Sequence, residues 1–90
     1  MIYQVHAPDQ VPDSYKAPYL KLPNPRQTFA GMLSCLDEGV GNVSRALEAK
    51  GMTNETVVVV TADNGSPTPS CGGYQGGQNY PLRGTCRMTG

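Results

Sequence analysis

Ninety residues, seven basic against seven acidic, carry a formal charge of zero, and a chain this short forms one domain at most, with roughly 60–65% of its unfolded surface buried. Nucleic acid is excluded as an expected partner, because phosphate binding needs clustered Lys and Arg in excess. A membrane span is excluded too: the longest apolar run, the four valines at 57–60, falls far short of the about 20 residues required.

At the amino end, Ile2, Tyr3 and Val5 predict a short strand over about 2–6, as though the chain begins inside a domain. No charged n-region and apolar h-region precede it, so no secretory leader is read. Residues 7–25 hold Pro8, Pro12, Pro18, Pro23 and Pro25, which predicts a long irregular connection without helix. The clearest element is a helix over about 26–50. Asn24 suits its N-cap and Pro25 its first position. Phe29, Met32, Leu33, Leu36, Val40, Val43 and Leu47 recur every three or four residues and form one apolar stripe. Arg26, Glu38, Arg45 and Glu48 fall on or beside the solvent side, and Gly51 supplies the C′ position. Gly39 and Gly41 each cost about 1 kcal/mol of helix propensity, which predicts a close packing contact there.

Thr53 and Asn54 turn the chain into Val57, Val58, Val59 and Val60, four β-branched residues predicting a strand over about 56–61 buried on both faces. Strand, helical crossover and strand make a βαβ unit of the α/β class with a parallel sheet. Parallel strands end on one edge, so His6 and the Asp63-Asn64 pair are expected to share a crevice. Residues 62–84 read as a glycine-rich loop and 85–90 as a tail. The glycines match neither G-x-G-x-x-G nor a Walker loop, so no nucleotide cradle is predicted.

Asp63 and Asn64 offer hard oxygen donors of the kind Ca²⁺ or Mg²⁺ takes. The plainer account is that Asn64-Gly65 is a turn chosen for its conformation. His6 is the single histidine, suited to hydrogen-bond an anion or protonate a leaving oxygen, or else simply structural. Arg83 suits an oxyanion clamp or the ordering of its own loop. Ser34 and Ser66 carry no mark of an activated nucleophile. Cys35 falls in the helix as a small core residue. Cys71 and Cys86 lack metal-type spacing, and whether they pair stays open. Asn42-Val43-Ser44 and Asn54-Glu55-Thr56 are sequons, and glycosylation at Asn42 or Asn54 requires a secretory route.

Five blocks now matter together: Val5-His6-Ala7-Pro8, Phe29-Ala30-Gly31-Met32, Leu36-Asp37-Glu38-Gly39-Val40-Gly41-Asn42-Val43, Thr61-Ala62-Asp63-Asn64-Gly65 and Asn79-Tyr80-Pro81-Leu82-Arg83-Gly84. In this order and spacing the chain resembles the type I sulfatases, in their arylsulfatase B-like branch. The resemblance implies part of an alkaline phosphatase-like α/β domain with a central, mostly parallel sheet. It implies hydrolysis of sulfate esters, sulfated glycans among them, by a formylglycine made from Cys or Ser with a divalent cation, usually Ca²⁺. It implies that Asp63 and Asn64 are two metal ligands and that His6 contacts sulfate and helps the leaving group depart. A lysosomal or secreted compartment is implied likewise.

The chain departs from that pattern in three places. No Cys or Ser is followed by the family's x-Pro-x-Arg, so no residue here is assigned as nucleophile. The paired aspartates that complete the family's metal site are missing. Where the family places a sulfate-contacting lysine two residues beyond Gly84, this chain has Thr85-Cys86-Arg87. The expectation is a partial catalytic domain that is inactive alone. The alternatives are a phosphatase or phosphodiesterase of the same superfamily, and a degenerate non-enzymatic module that uses the loop over 7–25.

Overall fold

The computed structural model describes residues 8–67 and 76–82. Its axis is a helix, here α2, spanning Arg26–Ala49. The helix begins one position away from the capping expected: Pro25 is the N-cap and Asn24 lies outside it. Pro23 and Pro25 already offer their carbonyls to the amides of Gln27 and Phe29 at 3.1 and 3.0 Å, so the first turn is started by backbone geometry. Asn24 instead accepts a bond from the Thr28 hydroxyl at 3.2 Å.

The other end obeys its sequence signal. Gly51 takes φ of 65°, a left-handed value that suits a residue without Cβ. The Gly51 amide bonds Glu48 O at 2.9 Å and the Met52 amide bonds Leu47 O at 2.9 Å. These two bonds are a Schellman termination, which satisfies carbonyls the helix would leave open. A 3₁₀ turn, Thr53–Glu55, comes at once, and the Thr56 hydroxyl donates back to Met52 O at 2.8 Å.

The proline-rich connection, expected to be free of helix, contains a short one. This is α1, Asp13–Lys16, and it runs into a 3₁₀ turn at Ala17–Tyr19. The prolines do not prevent it because of where they fall. Pro12 is the N-cap before the first turn and Pro18 falls at the start of the 3₁₀ turn, positions where proline is tolerated. A four-residue helix is far too short to hold itself; it is held against α2. The Tyr15 hydroxyl donates to Glu38 Oε2 at 2.5 Å, and the Tyr19 hydroxyl shares a hydrogen bond with Ser34 Oγ at 2.6 Å. Gln27 Nε2 donates to Tyr19 O at 3.3 Å.

The crossing point is Gly31. A Cβ there would lie 3.1 Å from Val11 Cγ1 and 3.2 Å from both Lys16 Cγ and Tyr15 O. Gly31 and Met32 are the buried residues of α2, and Met32 is the buried hydrophobic side chain of the described core. The close contact predicted at Gly39 and Gly41 is not there. A Cβ at Gly39 would meet nothing within 4 Å, and one at Gly41 would meet only the Arg45 side chain.

The α/β class is overturned. Residues 57–60 form no strand, and their valines are 88%, 56%, 78% and 70% exposed. Among the described residues the elements are helical, with one isolated bridge residue at Pro67 and no sheet. A β-branched run becomes a strand only when a neighbour completes its ladder. No described segment pairs with these valines, so their local propensity yields no strand and leaves them largely uncovered. The strand expected over about 2–6 lies outside the described residues. Of the parallel pair that was to bring His6 beside Asp63, the described residues therefore supply no strand, and His6 lies outside them. Among the described residues no helix is long and apolar enough to cross a membrane.

Two glycines in one helix should respond oppositely to alanine. Gly39→Ala gains helix propensity in open space and should stabilise the chain by about 0.5–1 kcal/mol. Gly31→Ala makes the same gain but forces a methyl against the fixed Tyr15 carbonyl, and should destabilise it by about 1–2 kcal/mol. Urea unfolding followed by helical circular dichroism reads both.

The Tyr15–Glu38 bond has its own signature. Donation to the Glu38 carboxylate, aided by burial, pushes the phenol of Tyr15 up to about 12 from an ordinary 10.0. A raised pKa means the folded state holds the proton more tightly. That stabilisation is complete below about pH 10 and is lost as pH rises toward 12. Stability measured across this window should fall in the native chain and fall less in Tyr15→Phe.

Candidate functional site

Asp63 and Asn64 stand where the exposed valine run bends, and both side chains are exposed. Asn64 Nδ2 donates to Gly65 O at 2.9 Å, which uses the nitrogen of the amide and leaves its oxygen without a donor among the described residues. The pair thus presents a carboxylate and a carbonyl oxygen on one bend. Among the described residues no group of three or more His, Cys, Asp or Glu side chains gathers to hold a metal. His6 and Arg83, the other two site residues expected from the sequence, lie outside the described residues, as do Cys71 and Cys86.

Ser66, just past the bend, is anchored more firmly than the bend itself. Asn79 reaches across to it: its Oδ1 accepts the Ser66 amide at 2.8 Å and its Nδ2 donates to Ser66 O at 2.9 Å. One side-chain amide meets both polar groups of one backbone residue, as a neighbouring strand would. The approach needs a glycine beside it. A Cβ at Gly77 would overlap the Ser66 side chain.

Gly76 joins this clamp to the start of α2. Its φ is 90°, and a Cβ there would fall 2.7 Å from Phe29 Cβ and 2.9 Å from Pro25 O. Backbone conformation and contact both demand glycine at this position. Arg26 Nη1 donates to Gly76 O at 2.5 Å. Arg26 was expected on the solvent side, but it is half-buried and has this structural partner. The chain of contacts runs from the first turn of α2, through Gly76 and Asn79, to Ser66 beside the bend. Sequence reasoning had Arg26 as a solvent-side residue and Asn79 as part of a family block, and gave neither of them, nor Gly76, a part in the site. The signal they carried was the Gly76-Gly77 pair, since adjacent glycines away from a hairpin mark a close backbone approach.

Residues 1–85 match the sulfatase family model. The chain belongs to the sulfatase family. It is also 40% identical over 82 residues to mouse Arylsulfatase J, an alignment covering 90% of this chain and 13% of that protein. The chain therefore spans about one-eighth of that relative's length. No solved structure gives a significant match. Membership makes the chain part of a family of sulfuric ester hydrolases, whose substrates are sulfate esters.

In this sulfatase chain Cys35 is a free, half-buried thiol on α2. Asn42 is exposed on the same helix, its Oδ1 accepting from Arg45 Nη2 at 2.7 Å. Asn54 is exposed in the 3₁₀ turn Thr53–Glu55.

Proposed function

We propose that this chain supplies one edge of a sulfate-ester-hydrolysing site, with Asp63 and Asn64 as two oxygen ligands of Ca²⁺. The observation that carries the reading is the exposed pair on its anchored bend, in a chain that belongs to the sulfatases. The donors fit a hard cation in kind: one carboxylate oxygen set and one carboxamide oxygen that accepts from no donor among the described residues. They are two residues where Ca²⁺ takes about six to eight oxygens, so the other ligands come from elsewhere. The cation, when bound, polarises the sulfate oxygens as a Lewis acid.

His6 has the chemistry to contact sulfate and to give a proton to the departing ester oxygen. Arg83 offers a planar fork of donors suited to a sulfate oxygen. The nucleophile is not supplied here, because no Cys or Ser in the sequence precedes x-Pro-x-Arg. Alone, then, the chain binds part of a transition state and has nothing to attack the sulfur. Sulfated glycans are the substrate class proposed for the whole protein, and glycans attached at Asn42 and Asn54 the modification.

Three measurements test this. Incubated with an aryl sulfate and Ca²⁺, the purified chain should release no more phenol than its His6→Ala variant; turnover above that control would show that the chain needs no outside nucleophile. Calcium should bind weakly, on the order of 1 mM, and Asp63→Ala should weaken it several-fold; an unchanged affinity sinks the metal assignment. Secretion of the chain from a eukaryotic host should yield bands that endoglycosidase collapses and that Asn42→Gln and Asn54→Gln each remove; a single unmodified band refutes the modification.

A further inference from the structure

The bend that carries Asp63 and Asn64 has few ties of its own. Thr61 Oγ1 bonds Ala62 O at 3.3 Å and Asn64 Nδ2 bonds Gly65 O at 2.9 Å, both within one residue. Among the described residues, the two Asn79–Ser66 bonds are the side-chain hydrogen bonds that tie residues 57–67 to a distant part of the chain. The valines before the bend are largely exposed, and Val58 shares an open cleft with Ser44 and Leu47 of α2. Among the described residues, a side-chain tie able to fix the direction of the bend lies on its far side, at Ser66.

From this juxtaposition we infer that Asn79 is a positioning residue for the Asp63-Asn64 cation ligands, acting through the Ser66 backbone. The inference rests on the cation assignment made above and adds the device that aims the two ligands. Asn suits the task because a carboxamide both donates and accepts. Aspartate keeps the acceptor for the Ser66 amide and loses the donor for the Ser66 carbonyl. Alanine loses both. Gly77 and Gly76 let the amide approach, and Arg26 and Phe29 fix the segment to α2. The ligand bend is thereby tied to the longest helix of the chain, while Asn79 itself touches no cation. Partners of this kind, one step removed from a metal, typically change affinity by about 10–100-fold when lost.

The test uses the full chain and terbium, a luminescent stand-in for Ca²⁺, together with hydrogen exchange at the Ser66 amide. Asn79→Ala should speed Ser66 exchange and weaken terbium about tenfold. Asn79→Asp should hold Ser66 exchange near the native rate and lose less terbium affinity than Asn79→Ala. Gln78→Ala, at an exposed neighbour, should change neither, and helical circular dichroism should be the same in all. Native terbium affinity in Asn79→Ala, with affinity lost in Asp63→Ala, overturns the positioning role and leaves the cation assignment standing. Native affinity in Asp63→Ala overturns the cation assignment, and the role with it. If Asn79→Asp behaves like Asn79→Ala in both readouts, acceptance from the Ser66 amide is not what aims the bend, and the inference fails.

Discussion

The amino-terminal half of α2 is where irregular chain comes within van der Waals distance of a helix, and the rest of the structure depends on that closeness. At Gly31 the absence of a Cβ lets α1 cross with its Tyr15 carbonyl almost touching the helix backbone. At Gly76 and Gly77 the same economy lets a second segment lie on Phe29, Pro25 and Arg26 and reach Ser66. Neither segment has enough internal hydrogen bonding to stand alone. Both borrow their order from the helix they touch. Hydrogen bonds then fix direction: Tyr15 to Glu38 and Tyr19 with Ser34 on one side, Arg26 to Gly76 O on the other.

Beyond Gly39, Thr53, Thr56 and Val58 line an open cleft with Ser44 and Leu47 of the helix. Leu33 and Val43 are 49% and 56% exposed, although both belong to the apolar stripe. The stripe predicts a buried face along the helix, yet burial is concentrated at Gly31 and Met32. A face of that length needs a partner surface of comparable length, and α1 with its 3₁₀ turn supplies seven residues. The uncovered part of the stripe and the four uncovered valines have one cause. Both are patterned for burial against surfaces that the described residues do not provide.

Legibility in the sequence depends on whether each feature is local. The helix could be read almost to the residue, because its stripe, its start near Pro25 and its Gly51 stop are written within its own segment. Its cap slipped by one since the Pro23 and Pro25 carbonyls decide it. α1 could not be read: four residues among prolines have no periodicity, and the contact that holds them is with Gly31, well along the chain. Propensity pointed to Gly39 and Gly41 because it counts what a glycine costs, and it says nothing about which glycine is crowded. The valine run shows the same limit for strands. Its β-branching is local and its missing ladder is not, so propensity pointed to a strand that the described chain does not form. At the site, the Asp63-Asn64 bend could be read from the change in composition after Val60. The Asn79–Ser66 clamp spans thirteen residues and carries no spacing signal.

That clamp bears on how a cation site can be shared among distant segments. A shell of about six to eight oxygens must be drawn together from several stretches of chain, and each stretch loses conformational freedom as it is fixed, about 1–2 kcal/mol per residue of backbone. An exposed bend held only by its own short bonds would meet that cost at the moment of binding. A bend already fastened at Ser66 meets part of it on folding, where the packing of Phe29 on the Gly76 segment offsets it. As proposed cation ligands, Asp63 and Asn64 are exposed because a cation must reach them, and their neighbour is clamped because exposure alone cannot aim them. The proposed cation site needs both, and the sequence places them on opposite sides of Gly65: the proposed ligands before it, the anchor after it.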